Sequence, residues 1–218
     1  MHGWRIVMLL LVCLVGCTPP ATAWVEGETI DLPAPQTVGT VSLEETLARR
    51  RSVRQYTQEA LTWEEIGQLF WAAQGITSDW GGRAAPSAGA LYPLEVYVVT
   101  REGLYHYVPE GHQVVYTPAL GLHDALWEAG LKQDWIRNAP AVFIFAAVHA
   151  RTAGKYGDRA ERYVHMEVGH ATENLLLQAV ALDLGAVVIG AFHDAQVQQA
   201  LNLPEDHAPL YLIPVGRE

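Results

Sequence analysis

The period of the apolar positions changes along this chain, and each change marks an element. Ser42-Leu43-Glu44-Glu45 has the S-x-x-E form of a capped helix N-terminus and predicts a short helix to about Arg50. Thr62-Trp63-Glu64-Glu65 repeats the device. Behind it Ile66, Leu69, Phe70 and Ala73 form one apolar stripe, and Gly75 supplies a stop. A Gly/Ala/Ser/Pro-rich loop, Ile76–Ala90, precedes three strands at Glu95–Thr100, Leu104–Val108 and Gln113–Tyr116, with Arg101-Glu102-Gly103 as a hairpin turn. A helix at Leu122–Leu131 and an apolar strand at Ala141–Val148 follow. The longest element runs from Arg159 to about Leu184. Its second half, ATENLLLQAVALDL from Ala171, is apolar around most of its circumference and is expected to be buried on nearly all sides. Gly185 ends it; Ala186–Ala191 reads as a buried strand, Asp194–Leu201 as a short helix and Leu210–Val215 as a closing strand. Strands first, long helices between and a final return strand predict an α+β layer fold. No G-x-G-x-x-G follows a strand and no phosphate-loop motif occurs, which argues against a doubly wound dinucleotide fold.

The first residues follow a different pattern. Ile6–Gly16 is an apolar run behind a single cation, Arg5. It is shorter than the roughly 20 residues a helix needs to cross a bilayer, and has the length of a signal-peptide core. It ends in Leu14-Val15-Gly16-Cys17, which resembles the bacterial lipobox, whose cysteine is acylated and becomes the new N-terminus. An ordinary signal peptide with an incidental Cys17 is the alternative. The expected organisation is a leader at 1–16, a lipidated tether at 17–40 and one domain at 41–218, held on the extracytoplasmic side of a bacterial envelope membrane. The tether is rich in Pro, Thr and Gly and lacks periodicity, although Trp24 and Ile30 are suited to packing on the domain. Both cysteines, Cys13 and Cys17, lie in or beside the leader, so the domain has no disulfide framework, no thiolate metal site and no cysteine nucleophile.

Charge narrows the ligand class. The chain has 14 Lys and Arg against 24 Asp and Glu, a formal charge of −10. That balance excludes a nucleic-acid binder of the usual basic-face kind. Four of the 14 cations are nevertheless gathered at Arg49, Arg50, Arg51 and Arg54. Such a concentration in an acidic chain points to an anionic ligand. Guanidinium forks bind phosphate bidentately, and Ser52 adds a hydroxyl; in an extended segment Ser52 and Arg54 project to the same side. A solvated helix C-terminus is the plainer account of the same arginines. Ala85-Pro86-Ser87-Ala88-Gly89-Ala90-Leu91-Tyr92-Pro93 is either a connecting loop or a small-residue surface that lets backbone approach a flat ligand. Pro214-Val215-Gly216-Arg217 places a cation at the end of the last strand. Glu167, His170 and Asn174 share one face of the long helix, but without an H-E-x-x-H pattern they read as buried packing groups, not metal ligands.

In this order the pieces resemble the nitroreductase superfamily, and within it the SagB/ThcOx branch of azoline-oxidase-like dehydrogenases. RRSVR, PSAGALYPLEVYVV, KYGDRAERYVHMEVGHATENLLLQAVALDLG and IGAF…YLIPVGR carry the likeness over about residues 43–217. The resemblance implies an FMN fold with a central, mostly antiparallel sheet flanked by helices, a long buried helix at its centre, and a homodimer with FMN at the interface. It implies that Arg50, Arg51, Ser52 and Arg54 take the FMN phosphate, ribityl chain and ring edge. Pro86, Ser87 and Ala88 would line the flavin of a second subunit, Ile189 and Gly190 would face the isoalloxazine, and Arg217 would approach the phosphate. Ala90 stands where many relatives have an Asn donor to the flavin. Lys155 and Tyr156 match a Lys-Tyr pair implicated in azoline oxidation; a loop cation beside a packing tyrosine is an equal alternative.

The implied activity is FMN-dependent oxidation or reduction of a small nitro, quinone or heterocyclic substrate, with Lys155 or Tyr156 moving the proton. A non-catalytic flavin-binding envelope lipoprotein or flavin carrier is the rival class. Turnover of bound flavin by a substrate separates them.

Overall fold

The computed structural model describes residues 27–218, so the leader, Cys17 and Trp24 lie outside the described residues. Helix α1 (Leu43–Arg49) starts where Ser42 accepts a hydrogen bond from the Glu45 amide, and α2 (Trp63–Gln74) starts at a complete capping box between Thr62 and Glu65. Both starts were predicted. Each cap satisfies amides that the first helical turn leaves without partners.

Among the described residues seven strands form one sheet: β1 (Thr29–Asp31), β2 (Leu94–Val99), β3 (Gly103–Val108), β4 (Gln113–Pro118), β5 (Ala141–Ala147), β6 (Gly185–Ala186) and β7 (Ala208–Gly216). Their order is β1-β4-β3-β2-β5-β7-β6, and every ladder is antiparallel. The central strand β5 shows how one sequence fills two cores. Phe143 and Phe145 point to the side covered by α2 and the long helix α6 (Ala160–Ala181). Val142, Ile144 and Ala146 point to the other side, covered by α3 (Leu122–Ala129), α4 (Asp134–Asn138) and α7 (Asp194–Ala200). Alternation along a strand buried on both faces produces this division. On the α2 side Phe70 stacks on Tyr107 at 4.7 Å and meets Phe143 edge-on at 5.1 Å. The fold is therefore α+β, in three layers, as expected.

Several expectations are corrected. The stretch read as tether contributes an edge strand: β1 pairs with β4 in the register Ile30↔Val114, and Ile30 packs on the core. Gln68 then holds the following strap through the Gln36 amide and carbonyl, at 2.8 and 3.0 Å. The driving force is the backbone of β4, which would otherwise be an open edge. The long helix begins at Ala160, after a separate helix α5 (His149–Tyr156) and a 3-10 turn at Gly157–Arg159. It stops at Ala181, because Asp183 adopts a left-handed φ of 58°. Its C-terminal half is not enclosed within one chain: Leu175 and Ala179 are buried, whereas Asn174, Leu177, Gln178 and Ala181 line an open groove of about 460 Å³. Residues 186–191 form only the end of β6 and an isolated bridge between Ile189 and Leu212. No helix among the described residues is long and apolar enough to cross a membrane.

Candidate active site

The arginine segment leaves α1 in extended form and is stitched to the edge of the sheet. Arg50 closes the helix through its amide to the Thr46 carbonyl, Ser52 bridges Ala186 in parallel, and the Val53 amide donates to the Ala186 carbonyl at 3.0 Å. Gly185 permits this approach, since a Cβ there would lie 2.6 Å from a Val53 methyl. A cleft of about 170 Å³ opens between this segment and α6, with Arg49, Arg50, Arg51, Leu176, Val180 and Gly185 among its walls.

The four cations differ in how they are held. Arg49 is shared between Glu45 at 3.0 Å and Asp183 at 3.1 Å. Arg50 lies 3.8 Å from Glu173 on α6, a loose pair. Arg51 and Arg54 have no acidic partner among the described residues. Arg51 rests on the carbonyls of Ala48 and Arg50, and the Arg54 guanidinium lies 5.4 Å over the Trp135 ring. Two guanidinium groups without an acidic partner among the described residues, one of them on the cleft wall, are suited to an anionic ligand in a chain of charge −10.

The second region is the turn Pro86–Tyr92. Ser87 Oγ accepts from the Tyr92 amide at 2.9 Å, and the Ala88 amide donates to Glu167 Oε1 at 2.8 Å. Asn174 reaches the Ala84 carbonyl at 3.4 Å. Glu167 and Asn174 are thus the helix groups that hold this loop, while His170 is exposed. Lys155 and Tyr156, at the end of α5, converge on the same turn: a Cβ on Gly89 would lie 2.8 Å from Lys155 Nζ and 2.9 Å from Tyr156 Oη. That juxtaposition unites two motifs far apart in sequence.

The remaining predicted residues are placed less simply. Ile189 is buried in the second core and bonded through its backbone to Leu212, so its side chain does not face the arginine cleft. Gly190 is exposed beside the Tyr211 ring. Arg217 turns toward the start of α2, where Glu65 at 2.6 Å and Glu59 at 3.4 Å neutralise it. Among the described residues no hydrogen bond or ion pair joins the arginine segment to the Pro86–Tyr92 turn. Sequence reasoning passed over Trp135, Glu167 as a loop anchor, and Arg151. The first and last of these sit on α4 and α5, short helices with no apolar stripe to announce them.

The fold and this site define a class, a layered α+β enzyme with a phosphate-suited cationic segment. Comparison with known proteins makes the class specific. Residues 47–217 match the model of the nitroreductase family. A Methanocaldococcus jannaschii protein that carries a provisional nitroreductase name is 44% identical over 198 residues, covering 88% of this chain and 98% of that protein. A crystal structure of a provisionally named nitroreductase from Ralstonia eutropha superposes with a TM-score of 0.79 at 32% identity, covering 89% of this chain and 92% of that one. An NADPH:FMN oxidoreductase from Vibrio harveyi, at 23% identity and a TM-score of 0.61, covers 80% of this chain and 68% of that one and shares the fold. The chain belongs to the nitroreductase family, and it is a flavin-type oxidoreductase.

Proposed function

We propose that the protein is an FMN-dependent oxidoreductase of the SagB-type branch, working as a homodimer on a small-molecule or heterocyclic substrate. The observation that carries the reading is Arg51, a cation on the wall of a cleft with no acidic partner among the described residues, followed three residues on by Arg54, which has none either. The residues fit the cofactor. Arg50 and Arg51 would take the phosphate, Ser52 the ribityl chain and Arg54 the electron-rich edge of the ring. Bound FMN would supply the hydride or electron transfer. Arg217 would join the phosphate only by exchanging Glu65 for it.

Two features support composite sites. Among the described residues no hydrogen bond or ion pair joins the turn that would line the flavin to the arginine segment of its own chain, and the open groove along α6 offers a surface for a second copy. In such a dimer Pro86, Ser87 and Ala88, with Lys155 and Tyr156 behind them, would cover the ring held by the partner's arginines. Lys155 Nζ or Tyr156 Oη would then hold or move the proton that accompanies hydride transfer.

Titration of FMN-free protein with FMN tests the reading. Hydrogen bonds to charged groups contribute roughly 1.5–3 kcal/mol, so Arg51→Ala weakens FMN by about tenfold or more. Stoichiometric FMN retention in that variant, at wild-type affinity, would remove the assigned role. We further propose that Cys17 is lipidated and anchors the domain in the cell envelope, the motif LVGC behind a short apolar run being the support. Cys17→Ser then releases the protein from membranes or stops its processing; unchanged fractionation and cleavage would defeat the idea.

A further inference from the structure

The Pro86–Tyr92 turn is strained. Gly89, Ala90 and Tyr92 all have left-handed backbones, at φ 64°, 53° and 46°. For Ala and Tyr this region is disfavoured, and it persists only where the surroundings over-determine it. Tyr92 is held at every polar atom. Its amide donates to Ser87 Oγ at 2.9 Å, its carbonyl accepts from Arg151 Nη1 at 3.0 Å, and its hydroxyl accepts from the Arg83 amide at 3.2 Å. The Arg83 guanidinium covers its ring at 4.6 Å.

Arg151 is in turn anchored to the sheet. Its second terminal nitrogen bonds Glu95 on β2, and the other oxygen of Glu95 meets His106 Nε2 on β3 at 2.7 Å. His106 stacks on Tyr97 at 4.3 Å, and the Tyr97 hydroxyl lies 2.5 Å from His207 Nδ1. Glu95 is largely buried, with 13% of its side chain exposed, in a strand paired on both sides. Arg151 therefore ties a strained turn to a rigid support. It also lies on α5, the helix that carries Lys155 and Tyr156.

We infer that Arg151, aligned by Glu95, is a positioning residue: it clamps the Tyr92 carbonyl and keeps Ser87, Ala88 and Gly89, with Lys155 and Tyr156 behind them, as one preformed wall of the site. The inference rests on the reading that this turn lines FMN. Among the described residues no hydrogen bond or ion pair joins Arg151 to the arginine segment, and its role is to fix shape.

Hydrogen exchange and FMN titration on the full chain test it together. In FMN-free Arg151→Met, the bonded amides of Ala88, Ala90 and Tyr92 exchange at least tenfold faster, while core amides of β5 keep wild-type protection. FMN affinity falls about tenfold in the same variant. Arg151→Lys, which keeps a donor for the carbonyl, recovers part of both. Glu95→Gln keeps the volume, gives a smaller change in the same amides, and serves if Arg151→Met does not fold. Wild-type protection of the turn in Arg151→Met and Glu95→Gln overturns the clamp. Uniform acceleration across the chain, or a loosened turn with unchanged FMN affinity, overturns it too. If the wild-type protein binds no FMN, the functional reading fails, while the exchange data still decide whether Arg151 holds the turn.

Discussion

The arginine segment and the Pro86–Tyr92 turn are built on opposite principles. The segment is extended, largely exposed and joined to the sheet by the Ser52–Ala186 bridge, and among the described residues Arg51 and Arg54 have no acid to hold them. The turn is compact and strained, with polar atoms tied to Glu167, Arg83 and Arg151. One region leaves its charge uncommitted, as binding an anion demands. The other has its shape set before any ligand arrives, as lining a flat ring demands. A site made of both combines affinity from the first with preorganisation from the second.

The largest expected effect lies on the turn side. Lys155→Ala and Tyr156→Phe slow turnover by about 10²–10⁴ and leave FMN binding intact, because both groups abut Gly89 and neither belongs to the cationic segment. Stopped-flow measurement of the two flavin half-reactions checks this; near-wild-type rates in both variants would take the pair out of the chemistry. The arginine side gives the complementary pattern. Arg51→Ala weakens FMN about tenfold or more, yet shifts the stability of FMN-free protein by less than about 0.5 kcal/mol, since only two solvent-exposed hydrogen bonds to nearby carbonyls are lost. A large drop in melting temperature without FMN would show that Arg51 is structural.

The smallest effect is on pH dependence, and it also separates the regions. Burial opposes ionisation of Glu95, but the hydrogen bond and charge of His106 and the charge of Arg151 outweigh it and hold the carboxyl below its ordinary 4.5. A depressed carboxyl contributes stability that is full above about 4.5 and lost as the pH falls through its lower folded value. Denaturant unfolding from pH 6 to pH 3.5 is therefore steeper in pH for the wild type than for Glu95→Gln. Arg51→Ala keeps the wild-type slope. Equal slopes for wild type and Glu95→Gln would show that the clamp is electrostatically idle.

Sequence patterning reached the fold wherever a local signal was strong. The caps at Ser42 and Thr62, the strand runs of β2 to β4 and the long apolar helix were all legible, because each depends on neighbours a few residues away. What escaped depends on distant partners. β1 forms because β4 has a free edge 82 residues on, the Gln113–Asp31 side-chain bond being part of that contact. Helix α5 buries only Thr152 and so has no stripe to read. Arg217 meets Glu65 across 152 residues, a pairing invisible in a motif ending in VGR. Ile189 turns inward with Val187 onto the second core while Ala186 and Val188 face the first, a division set by the pairing with distant β7 residues Pro214 and Leu212. The site was half legible on the same terms: RRSVR and PSAGALYP stood out as runs, whereas Glu167 and Arg151 take their meaning from the turn they hold.

The central claim is that the two regions meet on one FMN only across two copies of the chain. Co-expression of Arg51→Ala, defective in the segment, with Gly89→Ala, defective in the turn, tests it without need of a substrate. Each variant alone binds FMN weakly. Random pairing makes about half of the dimers mixed, and each mixed dimer has one intact site, so about a quarter of all sites regain tight FMN binding. FMN titration of the mixture with no tight fraction, while both variants remain dimeric, would place the segment and the turn in the same chain's site and contradict the account.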